Sequence, residues 1–302
     1  GNTGNGLVAP ISTSPNGHFQ SQNGHDSNPF PHASHPLLSG GTDLLVQRLD
    51  ELREQPVRLL FDQSGRRGIR HEAGAGRVVL GAATTASQLL ESELMRRLLP
   101  RLPDYLKLVS STPIRNMGTV AGNFVNASPI GDLTIMFLAL GASVTLADAS
   151  GATRTVPLAE LYLGYKKLAK APDEQVTEIS FPAPRSDDFF NFEKVSKRTH
   201  LDIASVNTAA WLRVENGVIT AARLSAGGVG PVPLLLRRTG EYLLGRELNA
   251  ETVAGANEVM QEEISPIGDV RGTAAYKRLL LRQLLFAHFL RFVPELKLVE
   301  LI

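Results

Sequence analysis

The feature that most constrains this chain is a polar, glycine-rich stretch, residues 114–133, which reads IRNMGTVAGNFVNASPIGDL. Its glycine and alanine residues let a backbone approach a ligand closely. Its asparagine, threonine, serine and aspartate side chains can form hydrogen bonds to that ligand. Because long apolar runs follow it, the stretch is typical of a binding loop held by a rigid scaffold. Composition alone leaves an ordinary turn-rich connection open as the alternative.

A second glycine loop lies nearer the start of the chain, where residues 37–47 read LLSGGTDLLVQ. Two successive glycines can turn backbone N–H groups toward an anion at the start of a helix. The alternative is a glycine turn capped by Thr42 or Asp43, and the two interpretations are compatible. An anion site requires the Asp43 carboxylate to point elsewhere. Residues 74–76 also contain two glycines, but they precede a strand-like run, which excludes a dinucleotide-binding loop.

Charge and cysteine content exclude several classes of function. Lys and Arg number 31 against 30 Asp and Glu, so the net charge of +1 gives no reason to expect binding to nucleic acid or to an anionic membrane. The absence of cysteine excludes disulfides, thiolate nucleophiles and cysteine-bound iron–sulfur clusters in this polypeptide. Redox chemistry would therefore need a bound cofactor.

Residues 1–36 have a loose alternation of Gly, Asn, Ser, His and Pro, which predicts a flexible tail or linker. Four of the seven histidines fall there, but their spacing places no pair on one helical face, so we predict no metal site. We find neither a leader peptide nor an apolar run long enough to span a bilayer. A cytoplasmic location is therefore expected.

Apolar periodicity predicts several elements in the first half of the chain. Residues 57–61 and 78–81 are predicted to pair as a hairpin, and Ser87 is predicted to cap a helix over residues 88–99. A buried helix over residues 133–140 and strands at 143–146 and 176–181 follow. Tyr165, Lys166 and Lys167 form a basic cluster, for which a solvated face is the usual explanation.

A separate α+β unit is predicted to begin near residue 186, because strand patterns are followed there by helical ones. Lys194, Arg198 and Asp202 are spaced four apart, so they would share one face of a helix; a loop ordered by charge is equally consistent. Residues 203–212 form an apolar run, and a strand is predicted at residues 218–224. Helices are predicted at residues 237–244, 250–264 and 274–292.

Six motifs, taken in their order and spacing, resemble the FAD-binding subunit or domain of the xanthine dehydrogenase and carbon monoxide dehydrogenase family of molybdenum hydroxylases. The resemblance runs from residue 37 to about residue 294. The motifs are LLSGGTDLLVQ at 37–47, GAATTASQL at 81–89, the stretch at 114–133, GYKK at 164–167, KVSKRTHLDIA at 194–204 and GDVRGTAAYKRLLL at 268–281.

The resemblance implies an α+β fold in two parts. The first is a two-part FAD-binding domain of the vanillyl-alcohol-oxidase-like type, expected at residues 37–185 with subdomains at 37–108 and 109–185. The second is a smaller C-terminal α+β domain at residues 186–296, with a three-stranded antiparallel sheet and helices. Residues 1–36 and 297–302 would be tails.

The resemblance also implies a set of cofactor-binding residues. The first loop would receive the FAD pyrophosphate, and the second would line the pyrophosphate and the ribityl chain, with Asp132 accepting hydrogen bonds from cofactor hydroxyls. Val176 and Lys194 match positions near the adenine or the isoalloxazine, and Tyr165 and Asp202 match the region where an electron acceptor approaches. The loop residues are Leu38, Ser39, Gly40, Gly41, Thr42, Asp43 and Leu44, and then Thr119, Gly122, Asn123, Val125, Asn126 and Ser128.

The activity implied by the resemblance is electron transfer within an oxidoreductase complex. FAD would take electrons from iron–sulfur clusters of a partner and pass them to NAD or another acceptor, while a third domain or subunit would hold the molybdenum cofactor. No general acid or base in this chain is needed. Because family members usually carry a strand and a helix before the first loop, the tail at residues 1–36 leaves a cofactor-free scaffold subunit as one alternative. A stand-alone flavin reductase is a second alternative, since a fold alone does not fix function.

Overall fold

The computed structural model describes residues 37–63 and 65–296, and of Asp62 only the backbone. The tails predicted at residues 1–36 and 297–302, with the four N-terminal histidines, lie outside the described residues. Helices and sheets are mixed along the chain, as the α+β prediction requires. Among the described residues, no helix is long and apolar enough to cross a membrane.

The described chain opens with two short strands, β1 (Leu37–Leu38) and β2 (Arg58–Leu59), which pair in parallel. Two short helices, α1 (Leu44–Gln47) and α2 (Leu49–Arg53), connect them. The hairpin predicted between residues 57–61 and 78–81 is therefore wrong.

The strand predicted at residues 78–81 is real, but it has another partner. It is β4 (Arg77–Gly81), and it forms a hairpin with β3 (Ile69–Glu72). Strand β3 was not predicted because its sequence, IRHE, is mostly charged, as suits an exposed edge strand. Gly76 in the connecting turn has φ +61°, a conformation that glycine adopts without a steric cost.

Strands β3 and β4 belong to a five-stranded antiparallel sheet. Its other members are β5 (Ser143–Ala147), β6 (Thr153–Pro157) and β9 (Gln175–Pro182), and the spatial order is β3-β4-β9-β5-β6. A separate two-stranded hairpin consists of β7 (Tyr162–Gly164) and β8 (Lys167–Leu168). The predictions of strands at residues 143–146 and 176–181 are confirmed.

Six helices lie between β4 and β5 in the chain. They are α3 (Ala86–Glu91), α4 (Glu93–Leu98), α5 (Leu102–Lys107), α6 (Thr112–Met117), α7 (Val120–Asn126) and α8 (Asp132–Ala139). The single helix predicted over residues 88–99 is two helices, because Ser92 ends α3 and caps α4. Thr85, not Ser87, caps α3, in a capping box with Gln88.

Helix α8 confirms the buried helix predicted over residues 133–140. Every residue from Leu133 to Ala139 is buried, and together with strands of the five-stranded sheet they form the first hydrophobic core. A helix that is apolar all round must be covered on all sides. The second sheet provides that further cover, since α8 also packs against three of its strands, described next.

The second sheet contains four antiparallel strands in the order β10-β11-β12-β13. They are β10 (Phe189–Val195), β11 (Val206–Glu215), β12 (Val218–Gly227) and β13 (Leu234–Leu235). The expectation of three strands is therefore corrected. The fourth strand has only two residues, which is too short to leave a periodic pattern in the sequence.

Three helices follow this sheet: α9 (Arg237–Leu243), α10 (Ala250–Glu263) and α11 (Ala274–Phe292), as predicted. Alternate residues of β11 point to opposite faces of the sheet and pack into different hydrophobic cores. Val206, Ala210 and Leu212 join the second hydrophobic core, which these helices cover, whereas Ala209 joins the first core. The second sheet therefore lies between α8 on one face and the C-terminal helices on the other.

Candidate functional site

The two glycine loops lie against each other. The Oγ of Ser39 and the Oγ1 of Thr119 are 2.7 Å apart and share a hydrogen bond. A Cβ on Gly40 would overlap the carbonyl oxygen of Met117, so only glycine allows the first loop to cross the end of α6. Two segments that are far apart in sequence thus form one polar surface.

The first loop offers hydrogen-bond donors that the chain does not use. Among the described residues, the backbone N–H groups of residues 40–43 donate to no group of the protein. These residues are half-buried, and Gly41 has φ +70°. Successive N–H groups on a glycine turn that are not bonded within the protein are donors of the kind that a pyrophosphate requires. The residues present therefore fit a dinucleotide phosphate.

Asp43 does not stand in the way of an anion. Its Oδ2 accepts a hydrogen bond from Nε2 of Gln47 at 2.9 Å, so the carboxylate lies along α1. Asp43 occupies the N-cap position of α1, as one alternative proposed, but its side chain forms no capping hydrogen bond. The capping interpretation is therefore correct for the position of Asp43 and wrong for its hydrogen bond.

The second loop is built around the short helix α7. Thr119 caps it by accepting the N–H of Gly122 on its Oγ1, at 3.0 Å. Oδ1 of Asn123 accepts both the N–H and the hydroxyl of Thr134, at 3.0 and 2.9 Å, which ties α7 to α8. This side-chain oxygen is thus used within the protein. Ala127 ends the helix with φ +51°.

The last residues of α7 and the loop after it contain the remaining second-loop candidates. Val125 is 39% exposed and presents an apolar surface to solvent. The Oγ of Ser128 accepts a long hydrogen bond, 3.4 Å, from the N–H of Ile130. Nζ of Lys166 donates to the backbone oxygen of Asn126 at 2.5 Å and to its Oδ1 at 2.6 Å.

Asp132 and Lys194, which are far apart in sequence, form a buried ion pair. Nζ of Lys194 donates to Oδ2 of Asp132 at 2.7 Å and to the carbonyl oxygen of Leu108 at 2.8 Å. The side chains of Lys194 and Asp132 are only 3% and 14% exposed. The other carboxylate oxygen, Oδ1, accepts Nδ2 of Asn207 at 2.6 Å. A buried carboxylate that is paired and hydrogen-bonded in this way has a fixed orientation.

The environment of Asp132 acts on its ionisation in two opposing ways. Burial raises the pKa of the Asp132 carboxyl above its ordinary value because desolvation disfavours the charged form. The charge of Lys194 and the hydrogen bonds from Lys194 and Asn207 oppose that shift. The carboxylate therefore depends on these two partners for its charge.

The basic cluster at residues 165–167 is the tip of the β7–β8 hairpin. Lys166, whose φ is +56°, reaches the end of α7 and holds Asn126, so this lysine is not simply part of a solvated face. Lys167 is exposed, and the Tyr165 ring is 68% exposed. The hairpin tip thus lies beside the second loop and presents an aromatic ring to solvent.

Asp202 orders its own loop. Its two carboxylate oxygens accept the backbone N–H groups of Arg198 and Ile203, each at 2.9 Å. The hydrogen bond from Arg198 is the largest effect that lowers the pKa of Asp202. Residues 196–205 form no helix, so the loop alternative is the correct one for Arg198 and Asp202. Lys194 lies apart from them, on β10.

Two candidates are not connected to the others. Val176 lies in β9, is 5% exposed and belongs to the first core. Among the described residues, no hydrogen bond joins Val176 or Asp202 to the polar side chains of the two glycine loops. The structure thus brings together the two loops, the hairpin tip and the Asp132–Lys194 pair.

Sequence analysis missed Asn207 as part of this site. A signal was present, since Asn207 is the only amide in the apolar run at residues 203–212. A lone polar residue on a buried strand needs a partner, and here the partner is Asp132. Among the described residues, no group of three or more His, Asp or Glu side chains could hold a metal ion.

Comparison with protein families accounts for this arrangement. The profile described as the FAD binding domain in molybdopterin dehydrogenase matches residues 26–184. The chain belongs to this family. A second profile, the CO dehydrogenase flavoprotein C-terminal domain, matches residues 192–292. The chain therefore carries the FAD-binding domain of an oxidoreductase family, and the first match begins within the segment predicted to be a tail.

Curated relatives fall into two groups by length. The carbon monoxide dehydrogenase medium chain of Hydrogenophaga pseudoflava is 30% identical over 251 residues, which cover 82% of this chain and 85% of that one. The xanthine dehydrogenase FAD-binding subunit of Escherichia coli O157:H7 is 27% identical, with 80% and 82% covered. Xanthine dehydrogenase 1 of Arabidopsis thaliana is 28% identical over 70% of this chain, which spans only 17% of that much longer protein.

Solved structures show the same fold. The carbon monoxide dehydrogenase of Hydrogenophaga pseudoflava that lacks the Mo-pyranopterin moiety superposes with a TM-score of 0.77 at 28% identity, covering 83% of this chain and 86% of that one. Quinoline 2-oxidoreductase from Pseudomonas putida 86 gives a TM-score of 0.76 at 24% identity, over 86% of this chain and 90% of that one. The second match shows the fold alone.

Proposed function

We propose that this chain binds FAD noncovalently and is the electron-transfer subunit of a molybdenum hydroxylase of the xanthine or carbon monoxide dehydrogenase type. The observation that supports it most is the contact between the two glycine loops, with free N–H groups at residues 40–43. The proposal includes a vanillyl-alcohol-oxidase-like architecture. It also includes the domain division at residues 37–108, 109–185 and 186–296.

Each part of the site has a role in this proposal. The N–H groups of the first loop bind the pyrophosphate, and Ser39 and Thr42 face the same polar surface. Residues 119–128 line the pyrophosphate and the ribityl chain. Asp132, held by Lys194, accepts hydrogen bonds from cofactor hydroxyls on its remaining lone pairs, and Val176 contributes apolar contact.

FAD, when bound, accepts electrons from one redox partner and delivers them to another. The chain contributes position and exclusion of water rather than a proton donor. The exposed Tyr165 ring and the ordered loop around Asp202 mark where an acceptor, NAD or another, would approach. In this proposal a partner supplies the iron–sulfur clusters and a third subunit holds the molybdenum cofactor. The names of two subunit-length relatives, a medium chain and an FAD-binding subunit, support a complex of several chains.

The visible absorption spectrum tests cofactor binding directly. We expect the purified chain, incubated with FAD and passed through gel filtration, to keep a flavin spectrum. Denaturation should then release all of the flavin into the filtrate, because the attachment is noncovalent. A protein that stays colourless after incubation would contradict the proposal and support the cofactor-free scaffold alternative.

The electron-transfer role needs the assembled complex. We expect removal of this subunit's flavin to abolish transfer from the hydroxylated substrate to the acceptor, and re-addition of FAD to restore it. Full activity of the flavin-free complex would contradict the role. Substrate turnover by the isolated chain with NAD(P)H would instead support the stand-alone reductase.

A further inference from the structure

Asn207 occupies an unusual position in the second sheet. It lies on β11 with 0% exposure, in a strand that is otherwise mostly apolar. Its Nδ2 donates to Oδ1 of Asp132 at 2.6 Å and to the carbonyl oxygen of Ile130 at 3.2 Å. One amide group therefore holds both the loop before α8 and the first residue of that helix.

The orientation of the amide is determined by its neighbours. A rotated amide would bring its oxygen against two acceptors, the Asp132 carboxylate and the Ile130 carbonyl, so only the observed orientation is stable. Among the described residues, Oδ1 of Asn207 has no hydrogen-bond partner. This oxygen takes the space that a Cβ on Gly227 would fill, so glycine at that position makes room for it. A buried acceptor without a partner costs stability.

The second sheet forms a third hydrogen bond to the segment at residues 128–132, in addition to the two from Asn207. The N–H of Gly228 donates to the carbonyl oxygen of Pro129 at 3.1 Å. Gly228 has φ +81°, and a Cβ there would overlap the carbonyl oxygen of Ser205. Residues 128–132 are thus attached to the sheet by both the Asn207 side chain and the Gly228 backbone.

We infer that Asn207 is a positioning residue of the FAD site, because its amide fixes residues 128–132 and turns the Asp132 carboxylate so that Oδ2 meets Lys194. The C-terminal sheet then takes part in cofactor binding through a residue whose amide donates to the second glycine loop at both Ile130 and Asp132. This inference rests on the proposed function. It predicts that loss of the amide weakens FAD binding more than it weakens the fold.

The test compares Asn207→Ala with Asn191→Ala in the full chain. Asn191 is a matched control, because it is also an asparagine with 0% exposure on the same sheet, but it bonds to Arg101, Tyr105, Glu193 and His288 and not to the site. Both variants should lower the unfolding midpoint of the apoprotein. FAD titration by flavin fluorescence should show a dissociation constant raised roughly tenfold or more for Asn207→Ala, and little changed for Asn191→Ala.

Asn207→Asp should make FAD affinity depend on pH in a way that a purely structural role of Asn207 would not. It keeps the shape of the side chain but replaces the N–H donor. The charged groups around it are Asp132 on α8 and Lys194 on β10, which are the ionic partners of the site. At about pH 8 the introduced carboxylate repels Asp132, whereas at about pH 5.5 it is partly protonated and can donate to Asp132 again. We expect FAD affinity to recover at the lower pH relative to Asn207→Ala.

The outcomes separate this inference from the proposed function. If the unaltered chain binds no FAD, the proposed function fails and the inference fails with it. If the unaltered chain binds FAD, two results would overturn the inference alone. One is an Asn207→Ala dissociation constant equal to that of Asn191→Ala, and the other is the absence of low-pH recovery in Asn207→Asp.

Discussion

At the residue scale, a fully buried histidine connects the two hydrophobic cores. Nδ1 of His288 on α11 lies 2.8 Å from Nδ2 of Asn191. Because an amide nitrogen can only donate, Nδ1 must be the acceptor, and the ring proton is on Nε2, which has no hydrogen-bond partner in the described part of the chain. The amide oxygen of Asn191 accepts Arg101 at 2.9 Å, while Tyr105 lies 3.1 Å away.

We expect this histidine to make stability depend on pH. Burial lowers the pKa of His288 to about 3, from an ordinary value of 6.5. Above about pH 6.5 the ring is neutral in both the folded and the unfolded chain. As pH falls from about 6.5 toward about 3, the unfolded state gains a proton and folding loses up to about 1.4 kcal/mol per pH unit.

Urea unfolding at about pH 7 and about pH 5 measures this effect. His288→Phe keeps a ring of similar size without a titrating group, so its free energy of unfolding should fall less between the two pH values. Equal losses in the two proteins would contradict the expectation. Cofactor-free protein should be used for both, because bound FAD adds its own contribution to stability.

The close crossing at Gly40 gives a second prediction at this scale. Gly40→Ala places a methyl group on the Met117 carbonyl and separates the two loops. We expect a loss of about 1–3 kcal/mol in the free energy of unfolding and failure to retain FAD after gel filtration. Gly74→Ala is the control, since a Cβ there meets nothing within 4 Å. Retention of FAD by Gly40→Ala would contradict the assigned first loop.

At the element scale, the tip of the β7–β8 hairpin is held by the side chain of Lys166. Lys166 reaches across to the end of α7 and binds both oxygens of Asn126. Tyr165, which precedes Lys166 in the chain, is therefore kept near the second loop by the bonds of its neighbour. Releasing Lys166 should free the tip without disturbing the five-stranded sheet.

We expect Lys166→Met to speed hydrogen exchange of the amides at residues 164–168 by roughly tenfold, which corresponds to the loss of about 1.4 kcal/mol of local stability. Lys167→Met is the matched control, because Lys167 is exposed and forms no side-chain hydrogen bond among the described residues. Exchange that is equally slow in both variants would show that the hairpin does not depend on Lys166.

Elements with a clear period could be predicted from sequence, and contacts between distant segments could not. The apolar patterns located α8, β9 and the three C-terminal helices. They failed for β3, whose charges suit an edge, and for β13, which is too short. The two glycine loops were recognised from composition and motif order. The role of Asn207 was not, because the pairing of a lone amide with Asp132 depends on how α8 meets the second sheet.

At the scale of the whole molecule, α8 packs between the two sheets and contacts both. Its side chains form much of the first core, while the second sheet bonds to its backbone: Oγ of Ser225 donates to the carbonyl oxygen of Ile135 at 2.7 Å, and Nε of Arg223 to that of Ala139 at 2.9 Å. The Arg223 guanidinium also lies 3.8 Å from the centre of the Trp211 ring. Neither sheet can separate without exposing α8.

We therefore expect a single unfolding transition. Trp211 is the only tryptophan in the chain, so its fluorescence reports the second sheet alone, whereas far-UV circular dichroism reports both. The two signals should coincide across a urea titration, and saturating FAD should shift both to higher urea by the same amount. A Trp211 transition that precedes the dichroism change would show that the second sheet unfolds independently.

The shared helix also limits how such proteins can be recombined. A chimera that takes its C-terminal unit from a relative would have to take α8 from the same relative. The second sheet presents a small and polar face to α8, including Asn207, Ala209 and Ser225, and that face matches the carbonyl groups and the leading aspartate of this helix. A junction placed in the connection after β9 would coincide with the boundary between the two units in sequence. It would nevertheless pair α8 of one protein with the second sheet of another, and their contact surfaces would not match.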